Sequence, residues 1–103
     1  MKILIVCGAG ASSTFVALRV RRTAAARGLA VDVAAGSESG LPDSLDGIDV
    51  LLVGPHLAHL FEDIQGQANA RGVAVVLLPE TIFAARDGEQ ALALALGAAP
   101  ARS

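Results

Sequence analysis

Short apolar runs alternate along this chain with stretches in which apolar residues recur every three or four positions. A run of four to six apolar residues is typical of a parallel strand that is covered on both faces. We therefore predict four strands, and Gly54-Pro55 and Pro79 end the third and the fourth. The predicted strands span residues 3–6, 29–34, 49–53 and 73–78.

The stretches between the strands predict amphipathic helices. The first runs from about Ser13, with Arg19 and Arg22 opposite its apolar face. Both long helices end in an Arg-Gly pair, which is typical of a left-handed glycine cap. The apolar face of the first helix comprises Val16, Ala17, Val20 and Ala24, and that of the next comprises Leu57, Leu60, Phe61, Ile64 and Ala68.

The remaining segments are shorter or more polar. Residues 36–47 are rich in Gly, Ser and acids and predict a loop with one helical turn, and residues 80–85 predict a short helix. Asp87, with Gln90 three positions later, is expected to cap a last helix that ends near Gly97. We expect one domain over residues 1–97 and a flexible tail over 98–103. Residues 26–31 resemble 70–75, which shared capping chemistry explains more simply than a duplication.

Alternation of strand and helix indicates an α/β domain with a parallel sheet and right-handed crossovers. We expect a single-domain three-layer sandwich with strand order 2-1-3-4 and helices on both faces. In such a sheet the binding crevice lies at the carboxyl ends of the strands, where the order reverses. Cys7 and Gly54-Pro55 would both lie at that edge.

Composition narrows the classes of function. Hydrophobic residues make up 53% of the chain and charged residues 17%, with no Trp or Tyr and three Phe. The net charge of −2 argues against nucleic acid as the main partner. The apolar runs are too short to span a membrane, and no signal peptide is evident at the N-terminus. A single cysteine is consistent with the reducing cytoplasm.

Charge is distributed unevenly along the chain. Residues 1–27 contain five basic groups and no acid, whereas residues 28–70 contain seven acids and no Lys or Arg. Solvated helix faces would explain this pattern. The alternative is a positive rim on the first helix, including Arg19 and Arg22, that steers an acidic or phosphorylated partner towards the neighbouring loop.

The stretch that follows the first strand carries the candidate chemistry. It reads Cys7-Gly8-Ala9-Gly10-Ala11-Ser12-Ser13-Thr14. The two glycines let backbone N–H groups approach a ligand, the hydroxyls add donors or cap the helix, and the helix N-terminus favours an anion. The same field favours thiolate over thiol. We interpret this stretch as a phosphate-binding loop in which Cys7 accepts and passes on a phosphoryl group; a buried structural cysteine is the simpler alternative.

Other loop motifs fit less well. A Walker phosphate loop would need a Lys, and a dinucleotide fingerprint would need a third glycine. The low-molecular-weight tyrosine phosphatases are similar in placing a Cys on such a loop, but they need an Arg where this chain has Ser13. They also need an Asp on a later loop as general acid, and this chain contains no Asp-Pro pair. Without that acid a phosphocysteine would be hydrolysed slowly. A cysteine phosphatase, a phosphate-binding sensor and a cysteine redox switch remain the alternatives.

Two histidines follow the Gly54-Pro55 turn. His56 and His59 are three positions apart, but no third ligand has metal-like spacing, so we expect neither a metal nor a cofactor. Pro55 and His56 would lie at the crevice and support the loop as neighbours of the site. Solvation at the surface is the alternative for His56.

Three features together resemble the IIB component of the bacterial sugar phosphotransferase system, in the lactose/cellobiose/chitobiose class. They are the strand that leads into the Cys7 loop, residues 50–58 with their Gly-Pro turn, and residues 83–88 ahead of the last helix. The chain departs from the family at Gly8, where Ser is common, and at Ala11, where Met is common. Neither change removes the thiol, but the second alters the surface that would meet partners.

The resemblance implies a four-stranded parallel sheet and a phosphorylated Cys7, with Gly8 to Thr14 as the phosphate-binding loop. It implies phosphohistidine on a IIA protein as the donor and a sugar held by a membrane IIC protein as the acceptor. A β-linked disaccharide such as cellobiose, chitobiose or lactose would be the substrate. No metal is implied, because such transfer depends mainly on positioning and charge stabilisation.

Overall fold

A computed structural model describes residues 2–7, 10–37, 45–79, 81 and 88–98. Its strands are β1 (Lys2–Cys7), β2 (Asp32–Ser37), β3 (Val50–Val53) and β4 (Ala74–Leu77). Its helices are α1 (Gly10–Ala26), α2 (Phe61–Ala70) and α3 (Glu89–Ala98), and a 3₁₀ segment (Pro55–Leu60) precedes α2. Within these described ranges, no helix is both long enough and apolar enough to span a bilayer.

The four strands form one parallel sheet in the order β2-β1-β3-β4, as predicted. Strand β1 lies between two neighbours, with Ile3 paired to Val33 on one side and to Val50 on the other. Each crossover carries the chain from the carboxyl end of one strand back to the amino end of the next, as parallel pairing requires. The carboxyl ends of β1 and β3 therefore meet at one edge of the sheet.

Apolar side chains fill both faces of the sheet, which gives the three layers that were predicted. Alternate residues of β1 point to opposite sides: Ile3 and Ile5 join α1 and α3, whereas Leu4 and Val6 join α2. The predicted apolar face of α1 is buried, and Arg22 is exposed as expected. Arg19 on the same helix is half-buried.

Both long helices end in the same hydrogen-bonded motif. Gly28 and Gly72 adopt φ values of 70° and 73°, in the left-handed region. The N–H of Leu29 donates to the carbonyl of Ala24 at 2.9 Å, and the N–H of Val73 donates to that of Ala68 at the same distance. This is the Schellman arrangement, in which glycine avoids the strain of a positive φ. Shared capping therefore accounts for the similar sequences around the two glycines.

The second strand begins later than predicted. Leu29 and Ala30 are apolar but exposed, and the strand starts at Asp32, which pairs with Lys2. The predicted start at residue 29 was wrong because the cap of α1 uses the N–H of Leu29 and delays pairing by about three residues, whereas residues 32–34 are in the strand as predicted. At its other end β2 continues to Ser37, two residues into the predicted loop.

The helix after β3 does not begin as an α-helix. Residues Pro55–Leu60 form a 3₁₀ segment with a kink at Leu57, whose φ and ψ are −101° and 15°. Spacing of i and i+3 fits a 3₁₀ helix as well as an α-helix, so the apolar pattern could not distinguish them. The side chains of Leu57, Ile64 and Ala68 are nevertheless buried against the sheet, as the pattern required.

Several predictions fall outside the described residues. These are the loop glycine and alanine at positions 8 and 9, the helical turn within 38–44, most of the short helix at 80–85, the cap at Asp87 and the tail beyond Ala98. The last helix is described, and it runs from Glu89 to Ala98.

One buried hydroxyl joins α1 to the start of α3. Thr23 is only 7% exposed, and its Oγ1 accepts a hydrogen bond of 3.0 Å from the N–H of Gly88. We expect Thr23→Val to lower the free energy of unfolding by about 1–2 kcal/mol, because the buried N–H loses this acceptor. Urea denaturation would measure the change. Thr23→Ser, which keeps the hydroxyl, should lose less; a valine variant as stable as the wild type would contradict the assignment.

Candidate functional site

The carboxyl edge of the sheet brings the predicted site elements together. Strand β1 ends at Cys7, which pairs with Ser37 of β2, and Val6 pairs with Val53 of β3. The N–H of Gly54 donates to the carbonyl of Val6 at 2.7 Å, so the Gly54-Pro55 turn begins directly beside Cys7. The sequence prediction that these two segments share one edge is confirmed.

Helix α1 starts closer to Cys7 than predicted. It begins at Gly10, so only two residues separate the end of β1 from the first helical residue. The backbone of Ser12, Ser13 and Thr14 therefore lies inside the helix, and the prediction that one of these residues precedes it as the N-cap was wrong.

This early start determines which backbone groups can face an anion. The first N–H groups of an α-helix have no acceptor within the helix, and in α1 they include those of residues 10–12. The positive end of the helix dipole lies at the same place. The backbone thus directs donors and partial positive charge towards the edge where β1 ends. The Cys7 side chain and those of Gly10 to Ser13 are outside the described part of the chain.

The second predicted segment lies on the other side of Cys7. Gly54 is extended, with φ of −64° and ψ of 151°, and its carbonyl accepts a hydrogen bond of 3.0 Å from the N–H of Leu57. Leu57 is buried and anchors the turn, whereas Pro55 is half-buried and His56 is exposed. The structure thus places His56 two residues beyond Gly54; its role at the site stays a prediction.

Helix α1 also presents two exposed apolar residues that the sequence interpretation did not single out. Phe15 is 62% exposed and Leu18 is 41% exposed, on the side of the helix that faces solvent. The available signal was helical spacing: Phe15, Leu18 and Arg22 follow i, i+3 and i+7 opposite the buried face. We call these three residues the α1 stripe.

A polar groove of about 550 Å³ lies at the opposite, amino edge of the sheet. Two contacts of its charged residues are defined: the backbone N–H of Lys2 donates to Asp49 at 2.8 Å, and Arg71 pairs with Asp46 at 2.6 Å. The groove is at the far end of the strands from Cys7. It is therefore separate from the predicted phosphate site.

Comparison with known families decides the assignment of the chain. Residues 2–93 match the family model described as the PTS system, lactose/cellobiose-specific IIB subunit. The chain belongs to this IIB family. The match includes β1 with Cys7, all of α1 and the turn at Gly54, so the elements at the carboxyl edge are family elements.

Curated relatives show how IIB sequences occur in other proteins. The chain is 28% identical over 93 residues to the lactose-specific EIICB component of Lactococcus lactis subsp. lactis, covering 88% of this chain but 16% of that protein. It is 23% identical over 95 residues to the oligo-beta-mannoside-specific EIIB component of Bacillus subtilis (strain 168), covering 92% of both. The chain thus matches a small part of the first relative and nearly all of the second.

Solved structures show the same architecture. The lactose-specific IIB component domain of Streptococcus pneumoniae superposes with a TM-score of 0.85 at 17% identity, covering 95% of this chain and 96% of that one. The cellobiose-specific IIB component of Borrelia burgdorferi gives a TM-score of 0.76 at 26% identity, covering 95% and 90%. The resemblance inferred from the Cys7 loop and the Gly-Pro turn, and the fold it implied, are confirmed.

Proposed function

We propose that this IIB protein is a phosphoryl carrier in which Cys7 receives a phosphoryl group from phosphohistidine on a IIA protein and delivers it to a sugar bound by a membrane IIC protein. One observation carries the proposal. In this chain of the IIB family, strand β1 ends at the cysteine, and only two residues separate it from the start of α1. A thiol and a helix N-terminus at one sheet edge suit a transferable anion.

The first transfer would form one bond and break one. The Cys7 thiolate attacks phosphorus in line with the leaving nitrogen, so that an S–P bond forms while the P–N bond breaks. The electron pair of the P–N bond remains on the imidazole nitrogen of the donor. Residues 8–14, which include the first turn of α1, would hold the three equatorial oxygens, over which negative charge is spread in the transition state.

The second transfer would reverse these roles at sulfur. A sugar hydroxyl attacks phosphorus, the S–P bond breaks, and the thiolate leaves with the electron pair. The hydroxyl proton passes to a base or to water on the acceptor side. Cys7 is thereby restored for the next cycle, and no metal or cofactor is required for atoms and charge to balance.

A carrier must hold its phosphoryl group long enough to meet its acceptor. The phosphatase alternative needs a cation six residues after the cysteine, and this chain has Ser13 there. It also needs an acid beside the leaving group. The chain supplies neither feature of the phosphatase motif, so we expect the phosphocysteine to persist in water and to be discharged by transfer.

The names of similar proteins suggest the class of sugar. These names give lactose, oligo-beta-mannoside and cellobiose as the specificities. These carbohydrates contain β-linked sugar units, so we propose a β-linked disaccharide as the acceptor. Because the phosphoryl chain starts from phosphoenolpyruvate, the proposal also implies a cytoplasmic protein.

Intact-mass spectrometry tests the carrier function. The wild-type protein is mixed at neutral pH with phosphoenolpyruvate, the general phosphotransferase proteins and each of a panel of lactose/cellobiose-class IIA proteins. We expect a gain of one phosphoryl group (about 80 Da) that survives in buffer and disappears when sugar and vesicles containing IIC are added. Absence of the adduct, with turnover of an aryl phosphate, would favour a phosphatase; absence of both would favour a binding module or redox switch.

A further inference from the structure

The α1 stripe is placed where an amphipathic helix normally carries polar residues. Val16, Val20 and Ala24 of α1 are buried against the sheet, whereas Phe15 and Leu18 are 62% and 41% exposed on the opposite side. Helix amphipathicity predicts charged or polar residues there. Packing among the described residues therefore does not explain two large apolar side chains one turn apart.

One of the two exposed apolar residues, Phe15, is aromatic. The chain has no Trp or Tyr and three Phe, so Phe15 represents a third of its aromatic side chains. Isolated apolar residues are common on surfaces, but a phenylalanine next to an exposed leucine on one helix face forms a patch. Aromatic residues with arginine nearby are enriched in the centres of protein interfaces.

Charge indicates the kind of partner. Helix α1 carries Arg19, Arg21 and Arg22 and no acidic residue. Arg22 is exposed on the stripe itself, while Arg21 is directed to β2, where its Nε donates to the carbonyl of Val33 at 2.7 Å. An acidic protein with an apolar patch would complement this surface.

The stripe is also continuous with the site. Phe15 lies five residues after the start of α1, which corresponds to about 7.5 Å along the helix axis. Arg22 lies two turns further from the carboxyl edge. A protein that covers the stripe would therefore have part of its surface beside Cys7.

We propose that Phe15, Leu18 and Arg22 form the docking surface for the phosphoryl donor, an acidic protein with an apolar patch, and that the membrane acceptor does not use it. This inference rests on the carrier function proposed above. It adds that donor and acceptor approach Cys7 over different faces of the domain.

Two other binding partners would complement the positive charge of the α1 stripe less well. Cytoplasmic loops of membrane proteins carry an excess of Lys and Arg, which the arginines of α1 would repel. Exposed Glu62 and Asp63 lie in the first turn of α2, on the other face of the sheet, and suit such a basic surface better. A second copy of the chain would bring the arginines of two α1 helices together across a symmetric interface.

Separate measurement of the two transfers tests the inference. Phe15→Ser and Arg22→Glu are compared with the wild type, using the IIA protein that phosphorylates the wild type best. We expect kcat/KM for phosphorylation by IIA to fall about tenfold or more for each variant, as for a residue central to an interface. The Arg22→Glu effect should shrink as salt is raised. The rate of discharge to sugar in IIC vesicles should not change.

Matched variants separate docking from damage to the fold. Leu29→Ser removes another exposed leucine beyond the far end of α1, and Arg71→Glu makes the same charge change at the amino-edge groove. Both should accept phosphoryl groups from IIA at the wild-type rate. Phosphoramidate, a small P–N donor that needs no docking surface, should phosphorylate Phe15→Ser and Arg22→Glu as it does the wild type.

Each remaining outcome overturns the inference. Equal loss in the α1 and control variants would make the effect nonspecific, and unchanged transfer from IIA would show that the stripe is not used. A loss confined to discharge would assign the stripe to the acceptor, and dimerisation abolished by Phe15→Ser would assign it to a second copy. A wild-type protein that no donor phosphorylates would remove the carrier function itself, which distinguishes that failure from a failure of docking.

Discussion

Replacing Cys7 with serine is expected to reduce phosphoryl uptake by about three orders of magnitude or more. A thiol is readily ionised near neutral pH, whereas a serine hydroxyl is not and has no dedicated base in the proposed mechanism. The backbone donors of α1 would remain, because the substitution changes one atom at the end of β1. Intact-mass spectrometry after a fixed time with phosphorylated IIA would give the fraction phosphorylated.

A second cysteine variant separates nucleophilicity from binding. Cys7→Ala lacks any nucleophile and should show no adduct, while both variants should unfold at a temperature close to that of the wild type. Inorganic phosphate binding, followed by the shifts of backbone amide resonances of residues 10–12, should persist in both variants if the helix N-terminus forms the anion site. Wild-type uptake by the serine variant would place the phosphoryl group on another residue.

Replacing Gly88 with alanine is expected to lower the free energy of unfolding by about 3 kcal/mol or more. A Cβ at this position would lie 2.5 Å from the backbone N and Cα of Val20 and 2.6 Å from the carbonyl carbon of Arg19. These are backbone atoms inside α1, so they cannot rotate away as a side chain could. Relief would require α1 and α3 to separate, which would weaken the core that they share.

Gly66 provides the matched control. It lies within α2, and a Cβ added there would have open space around it, with no neighbouring atom within 4 Å. Gly66→Ala should therefore stabilise the protein by about 0.5–1 kcal/mol, because alanine has the better helix propensity. In chemical denaturation, the midpoint should fall below that of the wild type for Gly88→Ala and rise above it for Gly66→Ala. Equal stability of Gly88→Ala and the wild type would show that the two helices tolerate a wider separation.

Much of the fold could be predicted because burial and periodicity agree along most of the chain. The apolar run of β1 requires burial on both faces, and the repeating apolar face of α1 requires burial on one. The glycines at 28 and 72 mark the helix ends. Parallel pairing and right-handed crossovers then leave few topologies. The carboxyl edge followed from that topology, which is why the relation of Cys7 to Gly54 could be anticipated.

Other features depend on three-dimensional contacts that a single sequence does not report. The start of β2 at Asp32 depends on a hydrogen bond from Leu29 to the end of α1. In the sequence, Gly88 is typical of a turn, but its close approach to Val20 depends on the packing of α1 against α3. Phe15 could equally have been covered by another element, and only its exposure in the folded chain marks a surface.

The central position of β1 has a consequence for how the chain folds. Its register partners lie far along the sequence, since Lys2 pairs with Asp32 and Ile3 pairs with Val50. Closing these separations of about 30 and 47 residues costs chain entropy before any strand pairing is gained. All strand pairings in the described part of the chain are parallel and none is a hairpin, so folding should be slower than that of a helical bundle of the same length. During synthesis, the apolar strand that leads to Cys7 would remain uncovered on one side until β3 has left the ribosome, which makes it the segment most in need of early protection from aggregation.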